Sequence, residues 1–319
     1  MLPALLAWRP FAARAQVRRR IGVVQGPNGA FRRDKWAGLG FVAAMKELGY
    51  QEGRDWIFDL REWRNPGEVP GIVRELLRAK VDVIVASAPP SIVGARSVTD
   101  RIPIVMAFSA DPVATGLVRS LNRPGGNLTG LSWDHGFESV LKQLELMRET
   151  LPKIRRAAVL WDATDTAHPV YAKYFDQGAQ RIGFPLLSLG VRATAEFPGA
   201  LEKMRAEKAE ALIILPSAQL LIPHRLELMK LVRAHRIPAL AGPIHWDFPG
   251  ALLLWAPSQA HVPQRVAVFI DRILRGAKPG DLPIEQPTKY EFHLDLRVAR
   301  SLGITVPRSV LVQAEKVIE

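Results

Sequence analysis

The chain has 319 residues, 48% hydrophobic and 23% charged, which suffices for two α/β domains, because a single core stops growing before about 300 residues. It has no cysteine, which excludes disulfides, thiol catalysis, zinc–thiolate sites and an acceptor for N-terminal lipid. Its formal net charge of +12 is scattered over pairs such as Arg32-Arg33 and Arg155-Arg156 with no aromatic stripe beside them, so it reads as a solvated basic surface with no nucleic-acid partner.

At the N-terminus, Leu2, Leu5, Leu6, Ala7 and Trp8 form a short apolar patch, and Ala13-Arg14-Ala15 precedes Gln16. Residues 1–15 are read as a shortened secretory signal, with an ordinary frayed terminus as the plain alternative. No run of about 18 apolar residues occurs, so no membrane insertion is expected. These features predict a periplasmic protein that is secreted and not lipid-anchored.

Beyond Gln16, strands alternate with amphipathic helices. Arg20 to Val24 is an apolar strand, and Ala37, Phe41, Ala44, Met45 and Leu48 recur at the spacing of one buried helix face that Gly49 ends. A strand over Trp56 to Arg61, a helix over Val69 to Lys80 and strands over Val81 to Ala86 and Ile104 to Phe108 follow. Continuous apolar strands between helices predict a parallel sheet covered on both faces.

The same order returns about 130 to 136 residues later. Arg20-Ile21-Gly22-Val23-Val24 is echoed by Arg156-Ala157-Ala158-Val159-Leu160, Gly49-Tyr50 by Gly183-Phe184, Ile84 to Ala88 by Ile214 to Ala218, and Arg101-Ile102-Pro103 by Arg236-Ile237-Pro238. The fold class predicted is α/β, with two similar doubly wound parallel-sheet lobes joined by a three-crossing hinge. Leu128 to Trp133 is read as a crossing strand, with a second-lobe helix beginning at Phe137. The run Leu252 to Trp255 and the helix Pro263 to Gly276 are assigned back to the first lobe, and a third crossing is placed near Pro279-Gly280 or Pro283. The division is then 16–130 plus 251–281 for lobe 1 and 131–250 plus 282–319 for lobe 2.

Several phrases carry a resemblance: Gly49 to Gly53, Val81 to Ser87, Asp111-Pro112-Val113, Arg123-Pro124-Gly125-Gly126-Asn127-Leu128-Thr129-Gly130-Leu131-Ser132, and Leu282 to Tyr290. From Arg20 to Glu319 the chain resembles the ABC-transporter substrate-binding family of the TrpX type. That resemblance implies a type I periplasmic-binding-protein fold, a ligand cleft between lobes, and separately encoded permease subunits as partners. It leaves the ligand open, an amino acid or aromatic carboxylate being the best expectation. A ligand-sensing effector domain without a transport role and an α/β enzyme using the same cleft are the rivals. The first lacks a helix-turn-helix here, and the second predicts turnover.

In parallel sheets ligands lie off the carboxyl ends of strands. Those loops nominate Gln25, Ser87, Ala88, Pro89, Ser109 and Asp111 from lobe 1, Trp133 near the crossing, and Asp162, Thr164, Ser217, Ala218 and Gly242 from lobe 2. Ser87 and Ser217 end matching strands, so they are expected to face each other and clamp a carboxylate with the following N–H groups. Each could equally cap its own helix. Asp111 and Asp162 are candidates for an ammonium partner, although Asp111-Pro112 also reads as a turn. In members of the resembling family the position of Asp162 is often an amide. Phe108, Trp133, Trp161 and Trp246 could stack on an aromatic ligand, or simply pack.

No catalytic motif, cofactor or metal is expected. Gly38-Leu39-Gly40-Phe41-Val42-Ala43 fits G-x-G-x-x-A but begins fourteen residues after the strand, within the helix, where it cannot form a phosphate turn. His224 and His235 sit roughly 16 Å apart along a helix, too far for one metal.

Overall fold

The computed structural model describes residues 18–27, 29–133, 136–242 and 248–319. The segment read as a signal, and Trp246, lie outside these residues. The first sheet holds β1 (Arg19–Gln25), β2 (Trp56–Glu62), β3 (Val83–Ala86), β4 (Ile104–Ser109) and β5 (Leu128–Ser132) in the order β2-β1-β3-β4-β5, all parallel. Period-two alternation divides its side chains between two cores: Ile21, Val23, Val83 and Val85 enter one, while Val24, Ile84 and Ala86 enter the other. Helices α1 (Trp36–Glu47), α2 (Val69–Arg78) and α3 (Pro89–Val98) connect these strands, α2 and α3 packing together on the second of those faces.

The other sheet is seven-stranded. After β5 the chain runs α4 (Phe137–Thr150), β6 (Ala157–Asp162), α5 (His168–Ile182), β7 (Leu186–Val191), α6 (Phe197–Ala206), β8 (Ala211–Ile214), α7 (Arg225–Ala234), β9 (Ala239–Ala241), β10 (Leu253–Pro257), α8 (Val262–Leu274), β11 (Tyr290–Asp295), α9 (Leu296–Leu302), α10 (Arg308–Leu311) and β12 (Lys316–Ile318). The order β7-β6-β8-β9-β10 repeats that of the first sheet. β11 pairs antiparallel with β10 and carries β12 beyond it. Backbone detail repeats as well. Lys80 and Lys208 both adopt positive φ (57° and 55°) three residues before β3 and β8, ending α2 and α6 in the same left-handed turn.

The three lobe boundaries expected from the sequence are corrected. β10 pairs with β9 and β11, so residues 251–257 stay in the second sheet, where Leu252, Leu253 and Trp255 fill a core with Val159 and Ile213. β10 is thus the counterpart of β5. Residues 282–285 run along the edge of the first sheet: Thr129 Oγ1 donates to Leu282 O (2.8 Å), Ile284 N to Leu121 O (2.8 Å), and Ser132 N to Glu285 O (2.8 Å). The last crossing therefore falls between Glu285 and Tyr290, and β5 itself belongs to the first sheet up to Ser132.

Each fifth strand hands its next helix to the other lobe. After β5, α4 packs on α5 in the core of the second sheet; after β10, α8 packs on α1 and supplies Val266, Phe269 and Ile270 to the core of the first. The glycines of the apparent dinucleotide motif serve packing, Gly38 against the loop before α1 and Gly40 against α8. A Cβ at Gly38 would strike the Arg32 carbonyl, and one at Gly40 would press Pro263 of α8 at 3.1 Å.

Candidate functional site

Between the sheets lies a cavity of about 180 Å³. Its walls are the residues that follow the carboxyl ends of the parallel strands: Gly26 after β1, Ser87, Ala88 and Pro89 after β3, and Ala110 after β4 from one side; Asp165 after β6, Leu215 and Pro216 after β8, and Gly242 after β9 from the other. Strand direction alone converges these loops, because every strand that feeds them runs parallel to its neighbour. Four aromatic side chains, Phe108, Trp133, Tyr171 and Trp255, line it among small and aliphatic residues. Phe108 and Trp133 meet edge-on at 5.9 Å, and Trp255 stacks on Tyr290 at 4.6 Å.

Of the residues nominated from the sequence, Ser87, Ala88, Pro89, Trp133, Ala218 and Gly242 line the cavity; Gln25, Ser109, Asp111, Asp162, Thr164 and Ser217 do not. Each of the second group except Ser109 makes side-chain hydrogen bonds, although Asp162 Oδ2 is buried with no partner among the described residues. Gln25 donates to Glu62 Oε1 (2.8 Å) and accepts Phe31 N (2.9 Å), stapling the loop after β1. Ser109 is fully buried beneath Trp133, whose N–H its carbonyl accepts. Asp162 is fully buried and folds the loop after β6, accepting Thr164 N (2.8 Å) and Thr164 Oγ1 (2.6 Å) on Oδ1. Ser217 Oγ accepts Leu221 N (2.9 Å) within the turns that precede α7, whose own cap position is His224, so of the two serines only Ser87 lines the cavity. Ser217→Ala is expected to lower stability by about 1 kcal/mol in a thermal melt while leaving ligand affinity unchanged by calorimetry. A large affinity loss would put that hydroxyl on the ligand. Trp161, expected as a stacking candidate, turns away and donates to Ser188 Oγ (2.9 Å).

Asp111 has left-handed φ (22°) and makes a turn, accepting Ala114 N (3.0 Å) on Oδ1. Its Oδ2 accepts the Tyr174 hydroxyl (2.7 Å) on α5 of the other lobe. Ala110 packs on the core of the second sheet, and Ala218 on that of the first. The lobes thus touch on both sides of the cavity.

Residues the sequence reading passed over complete the walls. Asp165 is 3% exposed; Oδ1 accepts Ala167 N (2.8 Å), Oδ2 accepts Gln219 Nε2 (3.3 Å), and among the described residues it has no ion-pair partner. His168 accepts Asp162 N (2.9 Å) on Nδ1, so its proton sits on Nε2 and faces Pro216 O (3.1 Å). Gln143 and Gln259 add buried amides. The spacing of His168 and Tyr171 at i, i+3 on the first turn of a helix that leaves a strand end was the available signal. Among the described residues no group of three or more His, Asp or Glu could hold a metal ion, and no helix is long and apolar enough to cross a membrane.

Residues 32–318 match the family model described as ABC transporter substrate binding protein. A curated tyrosine-binding protein of Clostridioides difficile (strain R20291) is 26% identical over 268 residues, covering 83% of this chain and 76% of the relative. A solved conserved domain protein from Vibrio cholerae superposes with a TM-score of 0.85 at 25% identity, covering 94% of this chain and 99% of that one. A Streptococcus pneumonia ABC domain solved in complex with L-Trp gives a TM-score of 0.84 at 24% identity, covering 94% and 100%.

Proposed function

Since this chain belongs to the ABC transporter substrate-binding protein family, we propose that it captures a small aromatic amino acid between its lobes and presents it to separate permease subunits. The family is one of binding proteins and not of enzymes, and its fold is the type I periplasmic-binding-protein architecture. The observation that carries the ligand class is the cavity itself, aromatic on several sides and containing one buried carboxylate. Of the two classes expected, amino acid and aromatic carboxylate, the first is favoured. A free acid would set its charge beside Asp165, whereas an ammonium offsets the cost of burying that carboxylate. The names of two relatives, one tyrosine-binding and one complexed with L-Trp, support the same class. An extracytoplasmic location and delivery for import are part of this proposal, resting on the family.

Capture by hinge closure is part of the proposal, supported by the three passages between sheets and the contacts that the lobes make around the cavity. Titration with L-tryptophan and L-tyrosine tests the ligand class. At 100 times Kd either should add about 2.7 kcal/mol of stability, and the absence of any thermal shift with aromatic amino acids rejects it. Closure has its own test in Tyr174→Phe, which removes the bond to Asp111. The loss of about 0.5–1.5 kcal/mol from the closed form should raise the ligand-free radius of gyration in X-ray scattering and weaken binding by up to about tenfold. No change in either measurement rejects that bond as a closure contact.

A further inference from the structure

Resting on that reading, we infer that Gln143 and Gln259 read the far end of the ligand, so that the cavity selects aromatic amino acids whose ring carries a hydrogen-bonding group, tyrosine and tryptophan, over phenylalanine. Strand order fixes where polar groups fall along the cavity. Asp165 follows β6, and Ala167 and His168 at the start of α5 line the wall beside it. This end takes the amino-acid head, its ammonium beside Asp165 and its carboxylate toward a helix N-terminus. Gln259 follows β10 and lines the same cavity. In the order β8-β9 between β6 and β10, those two strands stand three spacings apart, about 14 Å. The ends of β8 and β9 fill the interval with Ile214, Leu215, Leu240 and Ala241, an aliphatic floor suited to ring carbon.

Gln143 joins Gln259 at the far end. Tyr290 pairs with Pro257, two residues before Gln259, and its hydroxyl shares a hydrogen bond with Ser139 Oγ (2.8 Å), one turn before Gln143 on α4. Trp255, stacked on Tyr290, supplies a ring face there. Both amides are buried, Gln143 at 9% exposed and Gln259 at 5%. Gln143 Nε2 donates to its own helix at Ser139 O (3.4 Å), and the Gln259 side chain has no hydrogen bond among the described residues. A buried amide left unsatisfied is costly. A phenol hydroxyl donates to an amide oxygen and accepts from an amide nitrogen, and an indole N–H donates to the oxygen. With a hydrogen bond of about 2.8 Å at each end, such a ligand bridges the two poles. Phenylalanine presents only C–H to the amides, and a site that hydrogen-bonds a ligand group rejects the analogue lacking it.

The experiment is isothermal titration of the purified protein with L-tyrosine, L-tryptophan and L-phenylalanine, repeated on Gln143→Leu and Gln259→Leu after a thermal melt confirms that each is folded. The expected result is that tyrosine or tryptophan binds at least tenfold tighter than phenylalanine, and that at least one leucine variant brings this preference below threefold while still binding phenylalanine. A wild-type preference below tenfold overturns the inference and leaves the proposed function standing, and it decides the matter even where a variant fails to fold. A preference that both folded variants keep at threefold or more takes the ring's polar group away from these amides and overturns the inference as well. Failure of all three amino acids to bind rejects the proposed function, and the inference with it.

Discussion

Replacing Asp165 by asparagine is expected to weaken binding of an aromatic amino acid by at least about a hundredfold, roughly 2.7 kcal/mol. Breaking a buried charge pair by removing one partner costs about 3–5 kcal/mol, and part is recovered because the amide oxygen still accepts from an ammonium. The substitution should not disturb the fold. Asparagine can keep the bond from Ala167 N, and its new N–H faces Gln219, whose Oε1 is buried without a partner and can accept once that amide turns over. The ligand-free protein should therefore melt at the same temperature or higher, since an unpaired buried carboxylate has been neutralised. Calorimetric titration with a parallel thermal melt separates the outcomes. Unchanged affinity removes Asp165 from the site, and a fall in melting temperature marks it as structural.

The second large effect is on the frame. Gly130→Ala should cost on the order of 3–5 kcal/mol and lower Tm by roughly 5–7 °C. Gly130 sits mid-strand in β5 with φ at 127°, a region that side chains rarely adopt, and an added Cβ would strike the backbone of Met106 on the paired β4 strand. Its carbonyl also accepts Glu285 N (3.0 Å), tying the returning chain to the sheet edge. An alanine variant with wild-type Tm would mean that the strand can rotate out of this conformation at little cost.

The architecture was legible in the sequence to the extent that it is written in local pattern. Alternating runs such as Ile21-Gly22-Val23-Val24 and Ala157-Ala158-Val159-Leu160 specify strands buried on two faces, and their ordered echoes revealed the repeated plan. Which sheet an isolated strand joins is not local information. Leu252 to Trp255 is an apolar run that either sheet could bury, and only the pairing of β10 with β9 and β11 decides it.

The site was legible down to its loops and no further. The echo that set Ser87 beside Ser217 is out of register by two: Ser87 follows β3 directly and leads into Pro89-Pro90, whereas Ser217 lies three residues beyond β8, where its hydroxyl accepts Leu221 N. Asp162 still belongs to its strand and is buried in the fold, whereas Asp165, three positions on, has left the sheet and reaches the cavity. The phrases that carried the family resemblance turn out to be largely constructional. Gly125 and Gly126 take positive φ against Gly280, Asn127 Nδ2 donates to Thr99 O (3.1 Å) and Ile102 O (2.7 Å), and Leu282 to Glu285 edge the sheet. They build the passages between lobes and the edge of the first sheet.

The exchange of α4 and α8 between the lobes means that neither lobe is a contiguous stretch of chain. A fragment severed after Ser132 would leave Phe41, Val105 and Ala107 without the helix that roofs them, and the complementary piece would carry that helix with nothing of its own to cover. Each lobe's interior is finished by a segment that must first travel through the other, so the molecule cannot be divided into autonomous halves. Any swing of the halves about their connections tugs directly on both interiors.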